Sequence, residues 1–193
     1  MESIKNSIIQ GFNEIVQTGK GIAKQYPEQE HFISLISFNG LGQKILHFID
    51  PVDKLEQIDD KRYNPEASTP LYDAMGFSFA KLKQVLVDKK NYNVLVTIMT
   101  DGEENDSKEY TGHAIKMLIE DLKLQGWTFT YIGADHDVER FAMSISITNT
   151  MVFEKTESDI KSMFSKEKYA RDRYSEKLRM NEETQNDIYK DDK

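Results

Sequence analysis

The side chains with chemistry to offer gather where an apolar run meets acid. Val94-Leu95-Val96-Thr97-Ile98-Met99-Thr100 passes directly into Asp101-Gly102-Glu103-Glu104-Asn105. An apolar run without polar alternation predicts a strand covered on both faces, as in a parallel sheet. Asp101 would then stand at the carboxyl end of that strand, where open α/β sheets bind their ligands. A carboxylate there is suited to a hard cation, which prefers oxygen donors. The competing reading is an Asp-Gly turn that merely closes the strand.

Other polar groups have plainer readings. Glu103, Glu104 and Asp106 could steer a cation or a basic partner, or could form a solvated acidic loop. Asp73, just inside a helix that opens after Pro70, suits the positive helix N-terminus better than a metal. Asp135-His136-Asp137 reads as a turn and helix cap. His31, His47 and His113 lack metal-ligand spacing, and Tyr72 and Tyr110 read as packing residues. No Ser-His-Asp pattern, phosphate loop or paired-carboxylate signature is present, which points away from an enzyme.

Composition bounds the function classes. The 193 residues are 38% hydrophobic, enough for one ordinary domain with an appendage. There is no cysteine, so disulfides and thiolate metal sites are excluded. A formal net charge of −8 argues against a nucleic-acid surface. No apolar run approaches the roughly 20 residues that span a bilayer. The N-terminus is amphipathic and unlike a signal peptide, so a cytoplasmic protein without membrane contact is expected.

The elements that would position Asp101 follow from periodicity. Ile4, Ile8, Ile9, Phe12, Ile15, Val16 and Ile22 predict a helix over residues 2–24. Strands are predicted over 31–38 and 44–49, joined by a turn at Asn39-Gly40-Leu41-Gly42 and hence antiparallel. Leu71, Met75, Phe79, Leu82, Val85 and Leu86 give a second helical stripe, ahead of the strand ending at Thr100. A helix over 108–125 stopped by Gly126, a strand over 127–133, a helix over 138–147, a strand over 150–154 and a helix over 157–164 complete the pattern. Alternating strands and helices predict an α/β fold with a doubly wound, mostly parallel sheet and one antiparallel edge strand. Residues 1–165 would be the domain. Residues 166–193, densely charged and poor in apolar side chains, are expected to be a solvated helix fraying into disorder.

Three segments together resemble the von Willebrand factor type A (VWA) domain in its bacterial and phage branch. They are Ser68-Thr69-Pro70-Leu71-Tyr72-Asp73-Ala74, Thr100-Asp101-Gly102-Glu103-Glu104-Asn105, and the strand from Gly126 to Gly133-Ala134-Asp135. The resemblance runs from Met1 to about Phe164. It implies a Rossmann-like sheet whose carboxyl edge carries a metal-ion-dependent adhesion site for Mg²⁺ or Mn²⁺. Thr69 and Asp101 match two of that site's three segments. The third, Asp-x-Ser-x-Ser at the end of a central first strand, has no counterpart, because Met1-Glu2-Ser3-Ile4 matches the residues just after it.

The resemblance therefore implies a non-catalytic module that binds another protein, through an acidic ligand residue that would complete the metal's coordination shell. With the first ligand segment missing, any cation would be held weakly or not at all. The missing central strand would leave strand edges to be filled by closing up, by a homo-oligomer or by a strand donated from another chain. A start at Met1 that is genuine, set at an internal methionine, or shortened upstream would each fit. The alternative function is a Mg²⁺-dependent α/β hydrolase of phosphatase type that uses Asp101.

Overall fold

A computed structural model describes residues 4–63, 67–134 and 137–190. Among them, the chain is mixed α/β with five α-helices, a three-stranded parallel sheet and a two-stranded antiparallel sheet. A single sheet with one antiparallel edge strand was expected; the described strands form two separate sheets instead. Two compact units contain them, Met1–Glu66 with Phe153–Glu182, and Ala67–Val152 with Glu183–Lys193.

The first unit begins with α1 (Lys5–Gln25), whose apolar stripe buries Ile8, Ile15, Val16 and Ile22. The hairpin β1 (Phe32–Asn39) and β2 (Gly42–Pro51) follows. Its ladder is interrupted twice between Ile33 and Ile36, each time by one surplus residue on β2, and Ile49 adopts a φ of 51°. A β-branched residue with positive φ is an outlier held in place by its surroundings. Here the Ile49 amide donates to Ser34 Oγ at 3.0 Å. The bulge also lets His47 Nδ1 and Asp50 Oδ2 meet at 2.8 Å, although regular alternation would send residues three apart to opposite faces.

The unit is closed by α5 (Glu157–Met180), which packs on α1. Thr156 caps it, its Oγ1 accepting from the Asp159 amide, and Asn181 ends it in the left-handed conformation. A Cβ on Gly11 would overlap the Phe164 ring, so the close approach of the two helices requires glycine there. The helix expected over 157–164 runs unbroken to Met180, and the stretch expected to be a solvated helix beyond it is buried at Glu167, Ala170 and Tyr174. Glu167, only 1% exposed, receives Arg171 Nε at 2.9 Å and lets the buried stripe continue through Ala170 to Tyr174.

The second unit runs α2 (Leu71–Leu86), β3 (Val94–Thr100), α3 (Gly112–Leu124), β4 (Trp127–Gly133), α4 (Val138–Ser144) and β5 (Asn149–Val152). The sheet order is β3-β4-β5, all parallel, with Val94 opposite Trp127 and Thr100 opposite Gly133. Each strand is followed by a helix or helical return, the connection that parallel neighbours require. Phe79, Trp127 and Phe129 form an aromatic core, with Phe79 edge-on to Phe129 at 5.5 Å. The segment after Glu183 returns to this unit. Asn149 donates to the Gln185 carbonyl and accepts from the Ile188 amide, and Gln185 donates to the Lys123 carbonyl. Among the described residues no helix is long and apolar enough to cross a membrane.

Candidate functional site

The strands of the parallel sheet share one direction, so their carboxyl ends form one edge. Two loops meet on that edge at the end of β3, one over residues 67–70 before α2 and one over residues 101–111 before α3. Their backbones bond directly. The Thr69 amide donates to Asn105 Oδ1 at 2.8 Å, and the Asn105 amide donates to the Thr69 carbonyl at 3.2 Å. Thr69 Oγ1 lies 3.3 Å from where a Cβ on Gly102 would stand. Thr69 is thereby placed against the residue that follows Asp101, which is half-buried at the strand end. Thr100 steadies the turn, its Oγ1 accepting from the Gly102 amide at 3.2 Å.

The acidic side chains of the second loop are engaged in holding it. Glu104 Oε1 accepts from the amides of Asp106 and Ser107, and Oε2 accepts from the Tyr72 amide and the Ser107 hydroxyl, all at 2.7–3.0 Å. Asp106 Oδ2 accepts from Ser68 Oγ at 2.6 Å. A solvated acidic loop was one sequence expectation for these residues, and Glu104 departs from it by turning inward.

Asp73 departs from expectation in a related way. It does sit in the first turn of α2, yet its carboxylate bonds to the other loop, accepting from the amides of Lys108, Glu109 and Tyr110 at 2.7–2.9 Å. Burial alone would raise its pKa, but these three amides, helped by the Lys108 charge, hold it below the ordinary carboxylate value. The same bonds explain why α3 begins at Gly112 and not near Lys108. Residues 108–110 have their amides aimed at Asp73, and Thr111 supplies the helix cap, its Oγ1 accepting from the Ala114 amide.

Aromatic rings back the loops. Tyr72 stacks on Phe141 at 5.9 Å, and Phe141 in turn meets Tyr131 of β4 at 5.3 Å. Burial, then the nearby Tyr72 and Glu103, push the Tyr131 hydroxyl well above its usual value, so it stays protonated. Burial and Glu104 raise Tyr72 in the same direction. Tyr110 lies against Gly76, where a Cβ would come within 2.5 Å of the ring. Both sequence-expected packing tyrosines do pack.

The remaining candidates lie elsewhere or are not described. Asp137 caps α4 by accepting from the Arg140 amide, while Asp135 and His136 lie outside the described residues. His47 sits in the first unit, stacked on Phe12. The polar residues that sequence reasoning missed are Asn105 and Ser107, which join the loops through the Thr69 and Asp73 amides. The signal available for them was an Asx- and Ser-rich stretch directly after a strand, the composition of a loop that bonds its own backbone.

For a divalent cation, Thr69 Oγ1 and the Asp101 carboxylate are hard oxygen donors at this strand end, whereas Glu104 and Asp73 are taken by amides. Among the described residues no group of three or more acidic or histidine side chains is gathered as a ligand set. Two protein ligands fit a water-rich Mg²⁺ or Mn²⁺ site, a mode that Mg²⁺ favours because it dehydrates reluctantly. The chain matches no protein-family model and no curated protein.

Proposed function

We propose that this chain is a non-catalytic binding module of the VWA type, which engages another protein through the carboxyl edge of its parallel sheet. The observation that carries this reading is the joining of the two loops, which sets Thr69 against Gly102 beside Asp101. Thr69 and Asp101 would hold Mg²⁺ or Mn²⁺ with water filling most of the shell, and an acidic residue of the partner would complete it. The cation supplies a positive centre on an acidic edge and lets a carboxylate dock there. The module would contribute shape through Glu104, Asp73 and Asn105.

The test is a Mn²⁺ titration by calorimetry and by proton relaxation on the whole chain. Binding that disappears in Asp101→Ala and weakens in Thr69→Ala, with the fold retained, supports the reading. Unchanged Mn²⁺ binding in both variants would remove the metal edge from it. The alternative is a Mg²⁺-dependent hydrolase of phosphatase type using Asp101. Turnover of a generic phosphate ester by the wild type, lost in Asp101→Asn, would favour that reading.

A further inference from the structure

The amino ends of β4 and β5 carry residues 183–190, which form neither helix nor strand. The strand residues they meet are polar. Thr128, second in β4, is 0% exposed, and Asn149, first in β5, is 5% exposed. Asparagine is depleted in strands and is destabilising when buried unless its amide is satisfied. Asn149 spends its carboxamide on main chain. Nδ2 donates to the Phe129 carbonyl at 3.0 Å and to the Gln185 carbonyl at 2.7 Å, and Oδ1 accepts from the Ile188 amide at 3.2 Å. Thr128 Oγ1 donates to the Thr184 carbonyl at 3.4 Å. Of these four bonds, one stays within the sheet and three go to the covering segment.

The segment itself is shaped like a bound ligand. Thr184 and Ile188 are buried, and the other six residues of 183–190 are half-buried or exposed. Its turn is its own: Glu183 Oε1 accepts from the amides of Gln185 and Asn186, so the shape does not depend on the sheet. Gln185 then reaches outward, Nε2 donating to the Lys123 carbonyl in the last turn of α3 at 2.6 Å and to the Trp127 carbonyl at 3.4 Å. What the site reads is therefore main chain at residues 184, 185 and 188, one glutamine amide, and one aliphatic side chain three residues later. A segment with few buried side chains and no ladder opens at a lower free energy than the core beneath it.

We propose that the amino end of β4 and β5 is a peptide-binding site, filled in cis by residues 183–190 acting as a releasable strap. It lies at the opposite end of these strands from the carboxyl edge that carries Asp101. Its ligand class is a turn-forming segment in which glutamine is followed, three residues on, by an aliphatic residue. Asn149 reads that ligand, because its two strap-directed bonds clasp the main chain on both sides of the turn. A segment of the same pattern on another protein competes with the strap, and its apparent affinity is reduced by the fraction of sites the strap leaves open.

Two measurements on the whole chain test the proposal. In amide exchange of the wild type, the protection factor at Ile188 is expected to lie at least about tenfold below that at Ile132 of β4, because the strap opens without the sheet. Equal protection overturns the proposal. The second is calorimetric titration with a synthetic peptide of residues 183–190. The chain with Gln185→Ala and Ile188→Ala, its strap weakened, should bind the peptide with a Kd below about 1 mM. A peptide carrying the same two alanines should not bind. Adding Asn149→Ala to the chain should weaken binding about tenfold or more, and the wild type should bind at least about tenfold more weakly because its own strap competes. No binding to the strap variant, with far-UV dichroism unchanged, overturns the proposal. So does binding that survives Asn149→Ala or is equal in the wild type. If the double variant does not fold, Gln185→Ala alone takes its place with the same expectations.

Discussion

Two pairs of polar side chains at one strand end are placed differently. Asp73 and Glu104 turn into the protein, and their four oxygens accept seven hydrogen bonds. Thr69 and Asp101 stand where the two loops meet, with the Thr69 hydroxyl against Gly102. The contrast teaches that acidity along a loop does not identify a ligand. What decides is how many backbone amides point at each carboxylate, and that is a property of the neighbouring loop's path.

The comparison breaks most visibly at Asp73. Replacing it with alanine strands three amides that bond a charged acceptor, so Asp73→Ala should destabilise the fold by about 3–5 kcal/mol. Urea unfolding of this variant beside Asp101→Ala measures the gap, with Asp101→Ala expected within about 1 kcal/mol of wild type. Equal losses would erase the distinction between the two pairs.

A smaller effect is expected at Glu104. Glutamine keeps one acceptor oxygen but turns an amide donor toward donors, so Glu104→Gln should cost about 1–3 kcal/mol. Amide exchange at Tyr72, Asp106 and Ser107 should quicken together, which distinguishes a lost clamp from general loosening.

The pH dependence sharpens the same contrast. Because the folded-state pKa of Asp73 is depressed, its stabilisation is full above the unfolded carboxylate value and is lost as pH falls through the folded one. Asp73→Asn should therefore flatten the acid limb of the stability curve, with about one proton fewer taken up on acid unfolding. An unchanged limb would mean that other groups dominate acid unfolding. The smallest expected change is Thr69→Ala, within about 0.5 kcal/mol in stability as for a surface substitution, yet lowering Mn²⁺ affinity in the calorimetric titration.

Much of this fold is legible in the sequence where one physical cue dominates. β4 spans residues 127–133 as expected, because an unbroken apolar and β-branched run between glycines has few other uses. The hairpin of β1 and β2 and the helix after Pro70 follow equally simple patterning. The start of α3 was hidden because helical periodicity over 108–111 competes with amides captured by a carboxylate distant in sequence. The length of α5 was hidden by charge. Ile160, Met163, Phe164, Glu167, Ala170 and Tyr174 make a continuous helical stripe only if a glutamate is accepted within it, and the Arg171 contact permits that. At the candidate site the positions of Thr69 and Asp101 could be expected from motif, whereas the inward roles of Asp73 and Glu104 depend on three-dimensional loop paths.

The packing of α5 on α1, with Phe164 seated over Gly11, also sets an order of events during synthesis. The unit containing α1 is assembled from Met1–Glu66 and Phe153–Glu182, so its first helix emerges from the ribosome long before the helix that covers its apolar stripe. The parallel sheet has most of its chain between Ala67 and Val152 and can consolidate while synthesis continues. Until α5 follows, the part of α1 around Gly11 that Phe164 covers is open to water and to chaperones. A translation arrest before Phe153 would therefore leave the parallel sheet the better formed part of the nascent chain, and the exposed helix the part most prone to aggregate.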